Sequence, residues 1–225
     1  MTKSLSKTRK KFRVVVVDDH PIIRRGLADL INQEDDLEVC AEATDAHQAL
    51  EMIASLKPDI AVVDISLKEI NGIELIKHIK TRHPKLPTLV LSMHDETLYA
   101  ERALRAGARG YVMKQEPPET VISSIRKVLA GEIYVSEKMS SRLIARMADG
   151  RANGTGSPLE HLSDRELEVF QLIGQGLRTR QIAERLCLSI KTIESYREHI
   201  KDKLDLENST ELFQHALQWV QSQGQ

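Results

Sequence analysis

The chain has 225 residues, room for one large or two modest domains. It is 41% apolar and 29% charged with a net charge of −1, the balance of an ordinary soluble globular protein, with no global bias toward nucleic acid or a membrane surface. Its two cysteines, Cys40 and Cys187, are far apart and lack a CxxC partner, which argues against a disulfide framework or a zinc site and fits a reducing compartment. Met1 to Arg13 is basic and polar, so it is no secretory signal. No apolar run reaches the roughly eighteen residues a membrane span needs. A cytoplasmic location is expected.

The spacing of apolar residues then predicts elements in strict alternation. Phe12 to Val17 reads as a strand ending in Asp18-Asp19-His20-Pro21, and Pro21 opens a helix carrying Ile23, Leu27, Leu30 and Ile31. Leu37 to Ala41 is a short strand. Asp45 is placed to cap a helix with Ala49, Leu50 and Ile53. Ile60 to Val63 runs straight into Asp64; four apolar residues in a row suit a strand buried on both faces, and Asn71-Gly72 marks the turn after it. A helix with Ile73, Leu75, Ile76 and Ile79 follows. Thr88 to Leu91 is a strand ending at Ser92, Thr97 to Ala106 a helix stopped by Gly107, Gly110 to Met113 a strand ending at Lys114, and Pro118 to Ala130 a helix stopped by Gly131. Strands alternating with helices imply right-handed βαβ units, hence an α/β doubly wound five-stranded parallel sheet. No GxGxxG follows the first strand, which disfavours a dinucleotide site.

Ser136 to Met147 is predicted helical through Met139, Leu143, Ile144 and Met147. Residues 148–158 are rich in glycine and small polar residues and read as a linker. From Leu159 onward only helical periodicity remains.

The strand ends carry chemistry. Asp18, Asp19, Asp64, Ser92 and Lys114 all fall at carboxyl ends, and in a parallel sheet those ends share one edge, where ligands bind. Clustered carboxylates raise each other's pKa and call for a cation; hard oxygen ligands favour Mg²⁺. Lys114 supplies a positive point charge for an anionic group, and Ser92 a hydroxyl donor. One carboxylate is left to accept a phosphoryl group. His20 reads as a solvated loop histidine rather than a transition-metal ligand.

This set resembles the receiver domain of two-component response regulators, over roughly Phe12 to Gly131 and with the flavodoxin-like sheet that family has. The resemblance implies that Asp64 is phosphorylated from the phosphohistidine of a sensor histidine kinase. It implies that Asp19, Asp64 and the backbone carbonyl of Ser66 hold Mg²⁺ directly, with Asp18 acting partly through water. Ser92 and Tyr111 match the switch pair of that family, and His94 lies where dephosphorylation is tuned. Two positions depart from the pattern: Lys68 stands where proline is common, and Gln115 where a proline would follow a cis bond after Lys114.

In the remainder, Ser163 to Glu166 is a capping box opening a helix with Leu167, Val169, Phe170 and Ile173 inward. Thr179 is placed to cap a short helix with Ile182, Ala183 and Leu186. Leu188-Ser189 makes a turn, and Ser189 caps a longer helix with Ile193, Ile200 and Leu204 inward. A last helix runs from Thr210 to Val220. Two helices joined by such a turn form a helix-turn-helix, whose second helix enters the major groove. From Pro158 to Gln225 there are eight Lys/Arg against eleven Asp/Glu, an acidic balance unlike most DNA-binding modules, although the cations cluster locally.

The segment Leu162 to Leu204 resembles the LuxR-type C-terminal domain of the NarL/FixJ response regulators, a resemblance that covers roughly Leu159 to Trp219, through Glu166, Gly176, Ile182-Ala183, Leu186, Ser189, Lys191-Thr192-Ile193, Ile200 and Lys203-Leu204. The resemblance implies that Lys191, Thr192, Glu194, Ser195 and Glu198 lie at or near base edges, that Arg178, Arg197, Lys201 and Lys203 hold phosphates, and that the last helix dimerises. Glu194 and Glu198 stand where some relatives have lysine.

The expected division is a receiver over 12–131, a linker with a helix over 132–157, and a helix-turn-helix domain over 158–225. The expected function is phosphorylation-controlled transcription regulation and not catalysis, with double-stranded DNA and a sensor kinase as partners and a homodimer on phosphorylation. A phosphorelay or interaction protein whose helices do not bind DNA is the alternative; a phosphohydrolase using Asp64 is a third reading, disfavoured because no second catalytic acid stands beside it.

Overall fold

A computed structural model describes residues 10–67, 70–148 and 158–223. The chain divides into two compact units, Met1–Ser136 and Glu137–Gln225. Lys68 and the centre of the glycine-rich stretch, 149–157, lie outside the described residues.

The first unit is a five-stranded sheet in the order β2-β1-β3-β4-β5, with every pairing parallel. Its strands are β1 (Phe12–Val17), β2 (Leu37–Ala43), β3 (Ile60–Val63), β4 (Thr88–Ser92) and β5 (Gly110–Met113). The crossovers are α1 (Pro21–Asn32), α2 (Ala46–Leu56), α3 (Gly72–Arg82) and α4 (Glu96–Ala106), and α5 (Pro118–Leu129) follows the last strand. Residue alternation along β1 sorts the core into two layers. Val14 and Val16, with Ile60, Val62, Leu89 and Leu91, pack against Leu27 and Ile31 of α1 and Ile122, Ile125 and Val128 of α5. Val15 and Val17, with Ala61 and Val63, pack against Ala49 and Ile53 of α2 and Leu75 and Ile79 of α3. A sheet clothed on both faces explains why its strands read as unbroken apolar runs.

Three boundaries differ from the sequence reading. β2 runs on to Ala43, because Glu42 and Ala43 pair with Val16 and Val17 after a register shift at Val14/Val15. Asn71-Gly72 opens a helix rather than making a free turn: the Asn71 side chain accepts from Ile73 N at 2.9 Å, and Gly72 is the first residue of α3. Asp95 caps α4 by accepting from Thr97 N at 2.7 Å, so that helix begins at Glu96. After α5 the chain returns to the open edge of the sheet. Tyr134 N donates to Arg109 O at 3.0 Å and Tyr134 O accepts from Tyr111 N at 2.8 Å, strapping residues 133–135 onto β5.

The second unit is helical: α6 (Glu137–Ala148), a 3₁₀ turn (Pro158–His161), α7 (Asp164–Gly174), α8 (Thr179–Leu186), α9 (Ile190–Leu204) and α10 (Ser209–Gln223). In α6, Met139 is buried but Ile144 is 64% exposed, so only part of its apolar stripe is covered; the Met147 side chain lies outside the described residues. Leu167, Phe170, Ile173, Ile182, Leu186, Ile193, Ile200, Leu212 and Ala216 are among its buried apolar residues. α7 and α10 approach so closely at Gly174 that a β-carbon there would lie 2.3 Å from Ala216 O. No helix among the described residues is long and apolar enough to cross a membrane.

Candidate functional site

The carboxyl edge of the sheet gathers the residues singled out from the sequence. Backbone bonds hold the strand ends in place: Asp18 N donates to Ala43 O, Asp64 N to Val17 O, and Lys114 N to Ser92 O, all at 2.8–3.1 Å. From these positions Lys114 Nζ reaches Asp18 Oδ2 and Asp64 Oδ2, each at 2.7 Å, with all three side chains nearly sealed from solvent. Burial alone would push the Lys114 pKa down; Asp64 and Asp18 outweigh it and hold the ammonium above its ordinary value. The other Asp64 oxygen, Oδ1, is buried and has no hydrogen-bond partner among the described residues. An unmet buried carboxylate oxygen is costly unless something arrives to use it.

Asp18, Asp19, His20 and Asp64 each bring one ligand atom within 4.8 Å of the others. Three hard carboxylates with one orphaned oxygen fit a divalent cation of the magnesium kind. His20 is an exposed loop residue, as read from the sequence, and it also touches the acids: its Nδ1 lies 2.8 Å from Asp19 Oδ1 and its backbone N donates to Asp18 Oδ1 at 2.8 Å.

Beside the acids, Ser92 is fully buried and its Oγ accepts a long 3.3 Å bond from His94 N. Tyr111 is also buried, its ring inside the sheet edge, and its hydroxyl donates to His94 O at 2.8 Å. Burial pushes that phenol well above its ordinary pKa, so it stays a neutral donor. His94 itself stacks on Tyr99, ring centroids 4.5 Å apart, and its Nε2 lies 2.8 Å from Ser66 Oγ. The peptide bonds of the described residues are all trans, the one after Lys114 included.

In the helical unit the capping box of α7 is formed: Ser163 N donates to Glu166 Oε2 at 2.7 Å and Glu166 N to Ser163 Oγ at 3.3 Å. Thr179 does not cap α8. Arg178 holds that position, and its N–H is met by Gln181 Oε1 at 2.8 Å. Cys187 turns the chain in the left-handed region, φ 54°, and Ser189 caps α9 by accepting from Thr192 N at 3.0 Å. Ile193 and Ile200 point α9 into the bundle, which leaves Lys191, Glu194, Ser195 and Glu198 on an exposed stripe. Thr192 is half-buried and its hydroxyl bonds that of Ser189. Lys201 pairs with Glu198 at 2.8 Å. Arg178 is exposed and Arg197 is half-buried, its pKa lowered by desolvation.

Lys203 has a partner inside the helical unit. Its Nζ donates to Glu166 Oε2 at 2.6 Å, so its charge ties α9 to the buried cap of α7. Burial alone would raise the Glu166 pKa, but Lys203 and Ser163 outweigh it and the net shift is downward. A depressed folded pKa stabilises the fold above the unfolded carboxylate value of about 4.3 and is lost as pH falls through the folded one. The helical unit therefore loses stability on acidification below that range, and Lys203→Ala flattens the loss. Urea titrations at several pH values check this. Because Lys203 is more than a third exposed, its removal costs only about 1 kcal/mol at neutral pH.

A family model described as the response regulator receiver domain matches residues 14–126, half of the chain, and one described as bacterial regulatory proteins of the luxR family matches residues 160–216. The chain belongs to the response regulators. This response regulator is 35% identical over 209 residues to the oxygen regulatory protein NreC of Staphylococcus carnosus (strain TM300), covering 91% of this chain and 96% of that protein. Among solved structures it is similar to RcsB from Salmonella enterica serovar Typhimurium bound to promoter rprA in the presence of the phosphomimetic BeF3⁻, at 28% identity and TM-score 0.61, over 92% of this chain and 98% of that one. A LuxR-family two-component response regulator from Aurantimonas sp. SI85-9A1 is 34% identical, with TM-score 0.58, over 62% of this chain and 99% of its own.

Two features of this response regulator were beyond the sequence reading. Asn71 as a helix cap had a signal, an Asn directly before the helical run. The contact between Ser66 and His94 had none, since it joins two loops that only the sheet brings together.

Proposed function

We propose that Asp64 is the phosphoacceptor of this response regulator, that its phosphorylation by a sensor histidine kinase requires Mg²⁺, and that the modification controls binding of α9 to double-stranded DNA. The observation that carries the reading is the Asp64 carboxylate: one oxygen held by Lys114, the other buried and unmet. The free oxygen forms a bond to phosphorus as the P–N bond of the kinase phosphohistidine breaks, and the electron pair leaves with the imidazole. Lys114, already positive, turns to the new phosphoryl oxygens, and the Ser92 hydroxyl exchanges its long bond from His94 N for one it donates to the phosphoryl group. Asp18, Asp19, Asp64 and the carbonyl of Ser66 are the groups that would hold Mg²⁺, which when bound neutralises charge spreading over the transferred oxygens.

For DNA, the exposed stripe Lys191, Glu194, Ser195 and Glu198 is placed toward base edges with Thr192 at its margin, and Arg178, Arg197 and Lys201 toward phosphates. Lys203 is left out because Glu166 holds it. A homodimer with two reader helices asks for an inverted-repeat site. Arg197→Ala is expected to weaken binding on every sequence alike and to reduce the salt slope by about one. A gel-shift series across salt concentrations measures both; an effect confined to one base position contradicts the phosphate role. The acidic balance of the helical unit favours a second reading, an interaction protein without DNA, and absence of any shift at low salt would select it.

A further inference from the structure

The start of α9 carries two side chains that no phosphate contact explains. Ile190 is the first residue of that helix, and its side chain is 48% exposed. Glu194 lies one turn further along the same side of the helix and is also exposed. Its carboxylate has no hydrogen bond or ion pair among the described residues. The other acid of the exposed stripe, Glu198, is already paired with Lys201 at 2.8 Å. Of the two, Glu194 is the one open to a new donor.

Both side chains leave a fixed platform. Ser189 caps the helix by accepting from Thr192 N at 3.0 Å, and its hydroxyl lies 2.7 Å from that of Thr192. Ile193, in the same turn, is fully buried and pins the helix to the bundle. Ile190 is β-branched, and such a side chain keeps one strongly preferred rotamer in a helix. Little conformational freedom is therefore lost when it meets a partner. Packing inside the helical unit leaves this stiff apolar tip unused.

The chemistry of the two residues narrows what they can meet on a duplex. A free carboxylate is repelled by phosphate, and an isoleucine has nothing to offer it. In the major groove the apolar group on a base edge is the thymine C5-methyl, and the cytosine N4 amine is a donor that a glutamate accepts from. We propose that Ile190 packs on a thymine methyl and that Glu194 accepts from a cytosine N4 amine on a neighbouring base pair of each half-site. The proposal rests on α9 being the helix that binds double-stranded DNA. The same carboxylate gives the acidic helical unit a use: it weakens binding to DNA that lacks the cytosine, because an unpaired anion is then held against the groove.

The test uses the full chain with acetyl phosphate and Mg²⁺, and a duplex recovered from a random pool by repeated gel-shift. Each thymine is replaced in turn by deoxyuridine, which removes only the methyl group. One position per half-site should then weaken wild-type binding about fourfold, the worth of one buried methyl. Ile190→Ala should bind the thymine and deoxyuridine duplexes equally at that position. Replacing one C·G pair should cost the wild-type chain about tenfold. Glu194→Ala should lose that preference and bind a duplex of unrelated sequence more tightly than the wild type does. If Ile190→Ala responds to every deoxyuridine as the wild type does, the thymine contact is overturned. If Glu194→Ala keeps the wild-type preference at every C·G pair, the cytosine contact is overturned. In both cases DNA binding itself stands. Recovery of no duplex, with no shift at low salt, fails the DNA-binding reading and takes both contacts down with it.

Discussion

Asp64→Asn is expected to abolish labelling by a small phosphodonor in Mg²⁺, with far-UV circular dichroism unchanged. The amide nitrogen and oxygen replace the carboxylate proposed as the nucleophile, and an amide does not form the acyl phosphate. Folding is expected to survive because Lys114 keeps its second partner, Asp18, at 2.7 Å. The substitution also removes one of three crowded negative charges, so affinity for Mg²⁺ drops along with reactivity. Chelating the metal should slow labelling of the unsubstituted chain, since neutralisation of the transferred oxygens is lost. Intact-mass measurement reads all of this directly. Retention of one phosphoryl group on the Asp64→Asn variant would mean that Asp18, Asp19 or another side chain is the acceptor.

Gly72→Ala is expected to be the most damaging single methyl in the first unit. Its β-carbon would lie 2.0 Å from Asp64 O, 2.7 Å from Ile65 Cα and 2.9 Å from Asp64 C, all of them backbone atoms that no rotamer change can move aside. The clash pushes on the peptide of Asp64, the proposed phosphoacceptor, and the bond from Gly72 N to Ile65 O at 2.8 Å must stretch or break. Overpacking typically costs about 1–3 kcal/mol, and a rigid backbone neighbour places this case at about 3. Phosphorylation suffers beyond stability: a displacement near 1 Å at a reacting group costs about 100-fold in rate. Urea unfolding and the initial rate of labelling separate the two effects. Gly26→Ala is the control. Gly26 sits inside α1 with nothing within 4 Å of an added methyl, so there the change should stabilise by about 0.5–1 kcal/mol. Equal behaviour of the two variants would show that the loop after Asp64 yields freely.

The sheet edge was legible because four of the five strands end where an apolar run meets a residue with chemistry, and parallel topology brings those four ends to one edge. Asp18, Asp64 and Lys114 needed only that rule, and they meet within 2.7 Å. The failures have a common physical origin in tertiary partners. β2 extends past its apolar run because β1 offers Val17 as a partner for Ala43, so pairing overrides the polar Glu42. Lys203, which the resemblance places on phosphate, also bonds Glu166, and nothing nearby in the chain announces that partner 37 residues earlier. Thr179 has the side chain of a cap, yet the helix starts there because Gln181 satisfies the Arg178 N–H instead. His20 is the solvated loop histidine expected, 56% exposed, yet it also sits against two carboxylates because the turn after β1 folds back on its own acids.

The strand order β2-β1-β3-β4-β5 also bears on how the molecule is born. Once β1 and β2 have paired, every later strand docks on the same growing side, in the sequence in which it leaves the ribosome. No strand has to be inserted between two already joined, and no early strand waits for a distant mate. The nascent sheet can thus be completed stepwise during translation, with its exposed flank always the one awaiting the next segment.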